Sequence, residues 1–123
     1  LGQQVCQTGL THACANTVSS IMEDSGIPFK KTNATAQMYK NLNSDPNWVK
    51  IPINQAKKGD LIISPTSGNT IGHVGIVLND GAKNIGSSSR GGAFESNYTR
   101  RSWDTVFNER KSLPTYIFRY KGN

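Results

Sequence analysis

The chain has 123 residues, a formal net charge of +6, and 35% hydrophobic and 18% charged residues. That length suits one compact domain burying roughly two thirds of its unfolded surface. The composition excludes wholesale disorder, and no apolar run approaches the roughly 20 residues that cross a bilayer.

Basic residues are absent before Lys30 and crowd the last third, from Lys83 and Arg90 to Arg119 and Lys121. Such a balance favours an anionic partner: nucleic acid, an acidic lipid surface or an anionic cell-wall polymer. The chain opens at Leu1 with no basic stretch leading into an apolar one, so no signal peptide is visible.

The first element is a helix over Ala13–Ser25, "ACANTVSSIMEDS", with Thr11 or His12 at its N-cap. Cys14, Val18, Ile21 and Ser25 share a narrow arc at helical period, with Met22 beside them. Gly26 and Pro28 end it. A second helix is predicted from Ala34 to Leu42, capped by Asn33. The pattern then turns to short apolar runs. "DLIIS" (60–64) and "HVGIVL" (73–78) read as strands, and Asn79-Asp80-Gly81 as a hairpin loop of three residues between the second run and its return. "TYIFRY" (115–120) is a last strand after Pro114. No linker or repeat divides the chain. Helices followed by consecutive strands predict one α+β domain over 1–123, with a largely antiparallel sheet.

Chemistry concentrates on few residues. The two cysteines, Cys6 and Cys14, are spaced C-x7-C, and His12 and His73 are not paired at zinc spacing, so no metal site is expected. Cys14 sits in the first helical turn, where unpaired N–H groups and the macrodipole favour a thiolate. His73 stands at the front edge of an apolar strand, where an imidazole is available as a base. Each residue alone also fits a structural role, Cys14 as a buried thiol and His73 as a satisfied strand-end histidine.

The segments around the two residues resemble the papain-like NlpC/P60 superfamily of cell-wall peptidases and the related CHAP amidases. The similarity runs through Cys14 to Pro28, Gly59-Asp60-Leu61, and His73-Val74-Gly75-Ile76. It implies a papain-like fold, an N-terminal core helix packed on an antiparallel sheet. It also implies a hydrolase of peptidoglycan amide bonds, with Cys14 as nucleophile and His73 as general base. Two positions depart from the family pattern. Many members read Asp-Cys-Ser-Gly where this chain reads Ala13-Cys14-Ala15-Asn16. The family's imidazole-orienting position is occupied here by Ile85, which has no polar atom to offer.

Strand pairing supplies a substitute. With a three-residue loop Leu78 faces Ala82, and counting back sets His73 opposite Ser87. Ser87 is therefore the expected third member of the catalytic set, and Asn84 the chemical alternative, since an amide oxygen accepts well from an imidazole N–H. The oxyanion is assigned to the Cys14 backbone N–H, with His12 as a candidate second donor. A Cys6–Cys14 disulfide would block the sulfur, so both thiols are expected free.

No cofactor is expected. The expected partner is peptidoglycan, met in the periplasm or cell wall by a monomer with no membrane span. A phage lysin or an interbacterial toxin fits a short domain better than a housekeeping enzyme does. One competing reading is a catalytically dead wall-binding domain of the same fold. Another is a nucleic-acid binder using "FESNYTRRSW" (94–103), where aromatics alternate with arginines. An acyltransferase of the lecithin–retinol type fits poorly, because its cysteine follows its histidine.

Overall fold

The structure is a computed structural model and describes residues 18, 21, 22, 34–88 and 94–121. Its frame is a six-stranded sheet in the order β1-β6-β2-β3-β4-β5. The strands are β1 (Trp48–Ile51), β2 (Leu61–Ser64), β3 (His73–Val77), β4 (Asn84–Ser88), β5 (Phe94–Thr99) and β6 (Tyr116–Tyr120). Every neighbouring pair runs antiparallel. The unbroken apolar runs of β2 and β3 are explained by their place in the middle. All four residues of β2 and all five of β3 are buried, as expected of strands covered on both faces.

Alternation along the strands divides the core in two. On one face Leu61, Ile63, Val74, Ile76 and Phe118 pack with Val18 and Met22 of the N-terminal helix. Helix α1 (Thr35–Ser44) joins them through Met38 and Leu42. The expected core helix on an antiparallel sheet is thus present. On the other face Ile62, Val77, Ile85 and Ile117 meet Trp103, Phe107 and Leu113. The last three belong to the segment after β5: a single turn α2 (Arg100–Trp103), a π-helix over Asp104–Arg110, and the chain leading to β6. Both tryptophans are core, Trp48 at 6% and Trp103 at 0% exposure.

Three local details differ from the sequence expectation. Helix α1 starts at Thr35, with Ala34 at the N-cap and no side-chain cap, and Asn33 lies outside the described residues. The β3–β4 loop has five residues, not three: Leu78 N–H donates to the Asn84 carbonyl at 2.9 Å, and Ile76 pairs with Gly86. Asn79 sets this length, since its side chain accepts from Asn84 N–H at 2.9 Å and donates to Asn84 Oδ1 at 2.8 Å. Between them the chain takes a 3-10 turn with Gly81 at φ 77° and Ala82 at φ 56°. Finally, β1 and β5 are strands that the apolar pattern did not announce. β1 is an edge strand exposed at Val49 and Lys50, and β5 is the edge at the other end.

The Gly-Asp-Leu segment ties the sheet to its last strand. The Asp60 carboxylate accepts from Lys57 N–H at 2.8 Å and from Arg119 Nε and Nη2 at 3.0 and 2.9 Å. Asp60 is 4% exposed, so the two-pronged guanidinium contact is what makes its burial tolerable.

Candidate active site

His73 opens β3 directly opposite Ser64 of β2, and the approach to it is fixed by tight backbone. A Cβ on Gly72 would stand 1.9 Å from the Ser64 carbonyl oxygen, so only glycine fits there. Gly72 N–H donates to Thr66 Oγ1 at 2.9 Å, and Thr66 N–H donates to Thr35 Oγ1 at 3.0 Å. The start of α1 thus pins the loop that delivers His73. Lys111 Nζ donates to the Ile71 carbonyl at 2.8 Å from the other side.

The imidazole lies among three aromatic rings. Phe107 stacks on it at 5.6 Å and 14°, Trp103 leans at 5.5 Å, and Tyr98 closes the third side at 5.6 Å. The π-helix brings Trp103 and Phe107 together at 4.7 Å; such turns are rare and gather at functional sites. A polar chain behind the rings locks them. Trp103 Nε1 donates to Ser64 Oγ at 3.0 Å, Ser64 and Thr115 share a hydrogen bond at 2.8 Å, and Asn108 Nδ2 donates to Thr115 Oγ1 at 2.9 Å.

His73 Nε2 is 2.9 Å from Ser87 Oγ, and the Ser87 hydroxyl donates to Asn97 Oδ1 at 2.7 Å. An amide oxygen only accepts, so Ser87 spends its proton on Asn97 and receives one from His73. The imidazole is accordingly protonated at Nε2, with its lone pair at Nδ1. His73 keeps 4% exposure and Ser87 none. Burial, with the Lys111 ammonium adding to it, pushes the imidazole down to about 3. His73 is neutral at physiological pH.

The pairing of His73 with Ser87 arises by a different route from the one the loop count implied. In the observed register Gly75, not His73, stands level with Ser87. The five-residue loop shifts the partner by two, and a shift of two keeps parity. His73 and Ser87 remain on one face and meet on the diagonal, across Gly75. Asn84 stands level with Leu78, on the other face, with its amide engaged by Asn79. Asn97 was not among the expected residues. It sits at a β-bulge, a feature no apolar pattern reveals. Cys14, His12 and Cys6 lie outside the described residues. Val18 and Met22, described residues that follow Cys14 in the chain, pack on the face opposite His73.

A buried strand-end imidazole, aligned by a hydroxyl, is joined by one further finding. The NlpC/P60 family model matches residues 7–111. The chain belongs to the NlpC/P60 family. Comparison with curated proteins and with solved structures gives no match. Membership links this NlpC/P60 chain to peptidoglycan-related hydrolases and to the cell wall as the place of action. Among the described residues no cluster of His, Cys, Asp or Glu is arranged to hold a metal ion. No described helix is long and apolar enough to cross a membrane. In the arginine-rich segment Tyr98 and Trp103 turn inward onto His73 instead of alternating with the arginines on the surface.

Proposed function

We propose that residues 1–123 form one catalytic domain, a cysteine hydrolase of peptidoglycan amide bonds with Cys14 as nucleophile, His73 as base and Ser87 orienting the imidazole. The observation that carries this reading is the hydrogen bond from His73 Nε2 to Ser87. It leaves Nδ1 as the nitrogen that receives a proton. Because burial keeps the imidazole neutral at rest, the reaction starts by general-base catalysis. Nδ1 takes the Cys14 thiol proton as sulfur attacks the amide carbonyl. The imidazolium so formed is stabilised by the charge left on sulfur and oxygen, and it gives its proton to the leaving amine. A thioester remains. Water then attacks it, losing a proton to Nδ1, and as the acid departs the imidazolium returns that proton to the Cys14 sulfur.

The Cys14 backbone N–H, at the helix start, is the natural donor to the oxyanion, with His12 as the second candidate. Cys14 precedes Val18 by four residues in the chain, and Val18 packs on the far face of the sheet. On this reading the two groups meet past the sheet end, where His73 is the first residue of β3. The surplus of Lys and Arg draws the enzyme to an anionic wall by attraction that salt weakens. Peptidoglycan in the periplasm or wall is the substrate, whether the chain is delivered, secreted or phage-released. The bond is a stem-peptide link or the lactyl–alanine amide.

A wall-binding domain without catalysis is the second reading, favoured by the 4% exposure of His73. Digestion of purified sacculi separates the two. The native chain is expected to release fragments with new amino groups, whose masses name the bond, and Cys14→Ala none. Binding without release supports the second reading, and equal release by both proteins removes Cys14 as nucleophile.

A further inference from the structure

We infer that Asn97 is a positioning residue that fixes the tautomer of His73 through Ser87. This rests on the hydrolase reading for its consequence, though the geometry stands by itself. A serine hydroxyl is ambivalent: it donates or accepts. With no other partner, Ser87 is free to donate to Nε2, which places the ring proton on Nδ1. An imidazole in that state has no lone pair for a thiol proton. Asn97 Oδ1 removes the choice by taking the Ser87 proton at 2.7 Å. The Asn97 amide is itself oriented, since its Nδ2 donates to the Ser87 carbonyl at 3.4 Å. Reversing the amide would set two carbonyl oxygens against each other.

The backbone is shaped to deliver this contact. Ile85 pairs with Tyr98 but Gly86 pairs with Ser96, so Asn97 is the extra residue of a bulge on β5. Glu95 stands level with Ser87, so alternation along the strand turns Asn97 to the Ser87 side. The added residue lets Tyr98, its neighbour in the chain, turn to that same side and meet His73, a use of bulges common beside active sites.

The tautomer is read by long-range proton–nitrogen correlation NMR on chain labelled with ¹⁵N-histidine, with the His73 signals assigned from His73→Gln. Native protein is expected to show Nε2-protonated His73 alone. Asn97→Leu removes the acceptor and is expected to give a mixture or the Nδ1-protonated form. Asn97→Asp keeps an acceptor and is expected to restore the native pattern. On sacculi the leucine variant is expected to lose roughly tenfold or more in kcat with KM nearly unchanged, the usual cost of an outer-shell partner.

An Nδ1-protonated native protein overturns the proposal, and so does a folded Asn97→Leu with native tautomer and native kcat. The first of these needs no variant, so it decides even if Asn97→Leu fails to fold. A tautomer shift in a chain that never digests sacculi upholds the role of Asn97 and defeats the hydrolase reading instead.

Discussion

His73 Nε2 and Ser87 Oγ meet at 2.9 Å although neither stands opposite the other. Gly75 lies between them on the same face, level with Ser87. The diagonal is open because Gly75 has no side chain. A Cβ there would come within 2.7 Å of the Gly86 carbonyl oxygen and 2.9 Å of Ile85 Cγ2. The glycine of "HVGIV" is thus a condition of the histidine's alignment.

Gly75→Ala is expected to destabilise the chain by about 1–3 kcal/mol through overpacking, read as a fall in the denaturant midpoint with an unchanged slope. It is also expected to disturb the His73–Ser87 hydrogen bond. A variant as stable as the native chain would show that the two strands separate freely, against the tight pairing described here.

Acid should unfold the protein partly through His73. The folded imidazole is held to about 3 against an ordinary 6.5, so between those values the unfolded chain binds a proton that the folded one refuses. Stability from this group is complete above pH 6.5 and is lost as pH falls toward 3. The loss approaches about 5 kcal/mol at most, with a limiting slope of about 1.4 kcal/mol per pH unit. Denaturant midpoints between pH 7 and 4 should fall more steeply for the native chain than for His73→Gln. Lys111→Met should raise the imidazole and flatten the native curve. Parallel curves for native and His73→Gln would mean that the folded imidazole titrates normally.

Asp60 joins the β2 turn to β6 through Arg119. Asp60→Ala leaves Lys57 N–H without its acceptor and the guanidinium with the Gln55 carbonyl in place of the carboxylate. Because Arg119 remains 33% exposed to water, the expected cost is moderate, about 2–3 kcal/mol. Asp60→Asn, which retains an acceptor oxygen, is expected to lose less. Equal melting of all three proteins would remove Asp60 from the account of stability.

Ser64→Ala strips Trp103 Nε1 of its acceptor inside the core. A buried donor left unmet costs about 1–3 kcal/mol. Since Trp103 also leans on His73, a drop in sacculus digestion larger than the stability loss explains is expected as well. Unchanged stability would mean that the indole finds another partner.

Much of the sheet was legible because its middle is simple. β2 and β3 are covered on both faces, so "LIIS" and "HVGIV" are apolar but for Ser64 and His73 at their ends, and are bounded by Gly-Asp and Asn-Asp-Gly signals. The edges were not legible in this way. β1 exposes two consecutive residues, Val49 and Lys50, which breaks both run and alternation, and β5 is mostly polar. The face of Ser87 was read correctly while its register was not. Parity survives an error of two residues, and loop length is set by Asn79 pairing with Asn84, which apolar spacing does not encode. Asn84, chosen for its chemistry, is occupied in that loop. Asn97 and the π-helix escaped because a bulge and a widened turn each insert a residue into a period, and periodicity is what the eye follows. Cys14 and His12, read from the helix start, lie outside the described residues.

The central claim is that His73 serves the sulfur of Cys14. Alkylation of Cys14 by iodoacetamide, followed by peptide mass across pH so that Cys6 is counted separately, tests it most directly. The native chain should modify faster near neutral pH, where the neutral Nδ1 takes the thiol proton as sulfur attacks the reagent, and His73→Gln should react more slowly at the same pH, as an unassisted thiol of ordinary value, about 8.5, does. Identical profiles for the two proteins, both centred near that ordinary value, would contradict it.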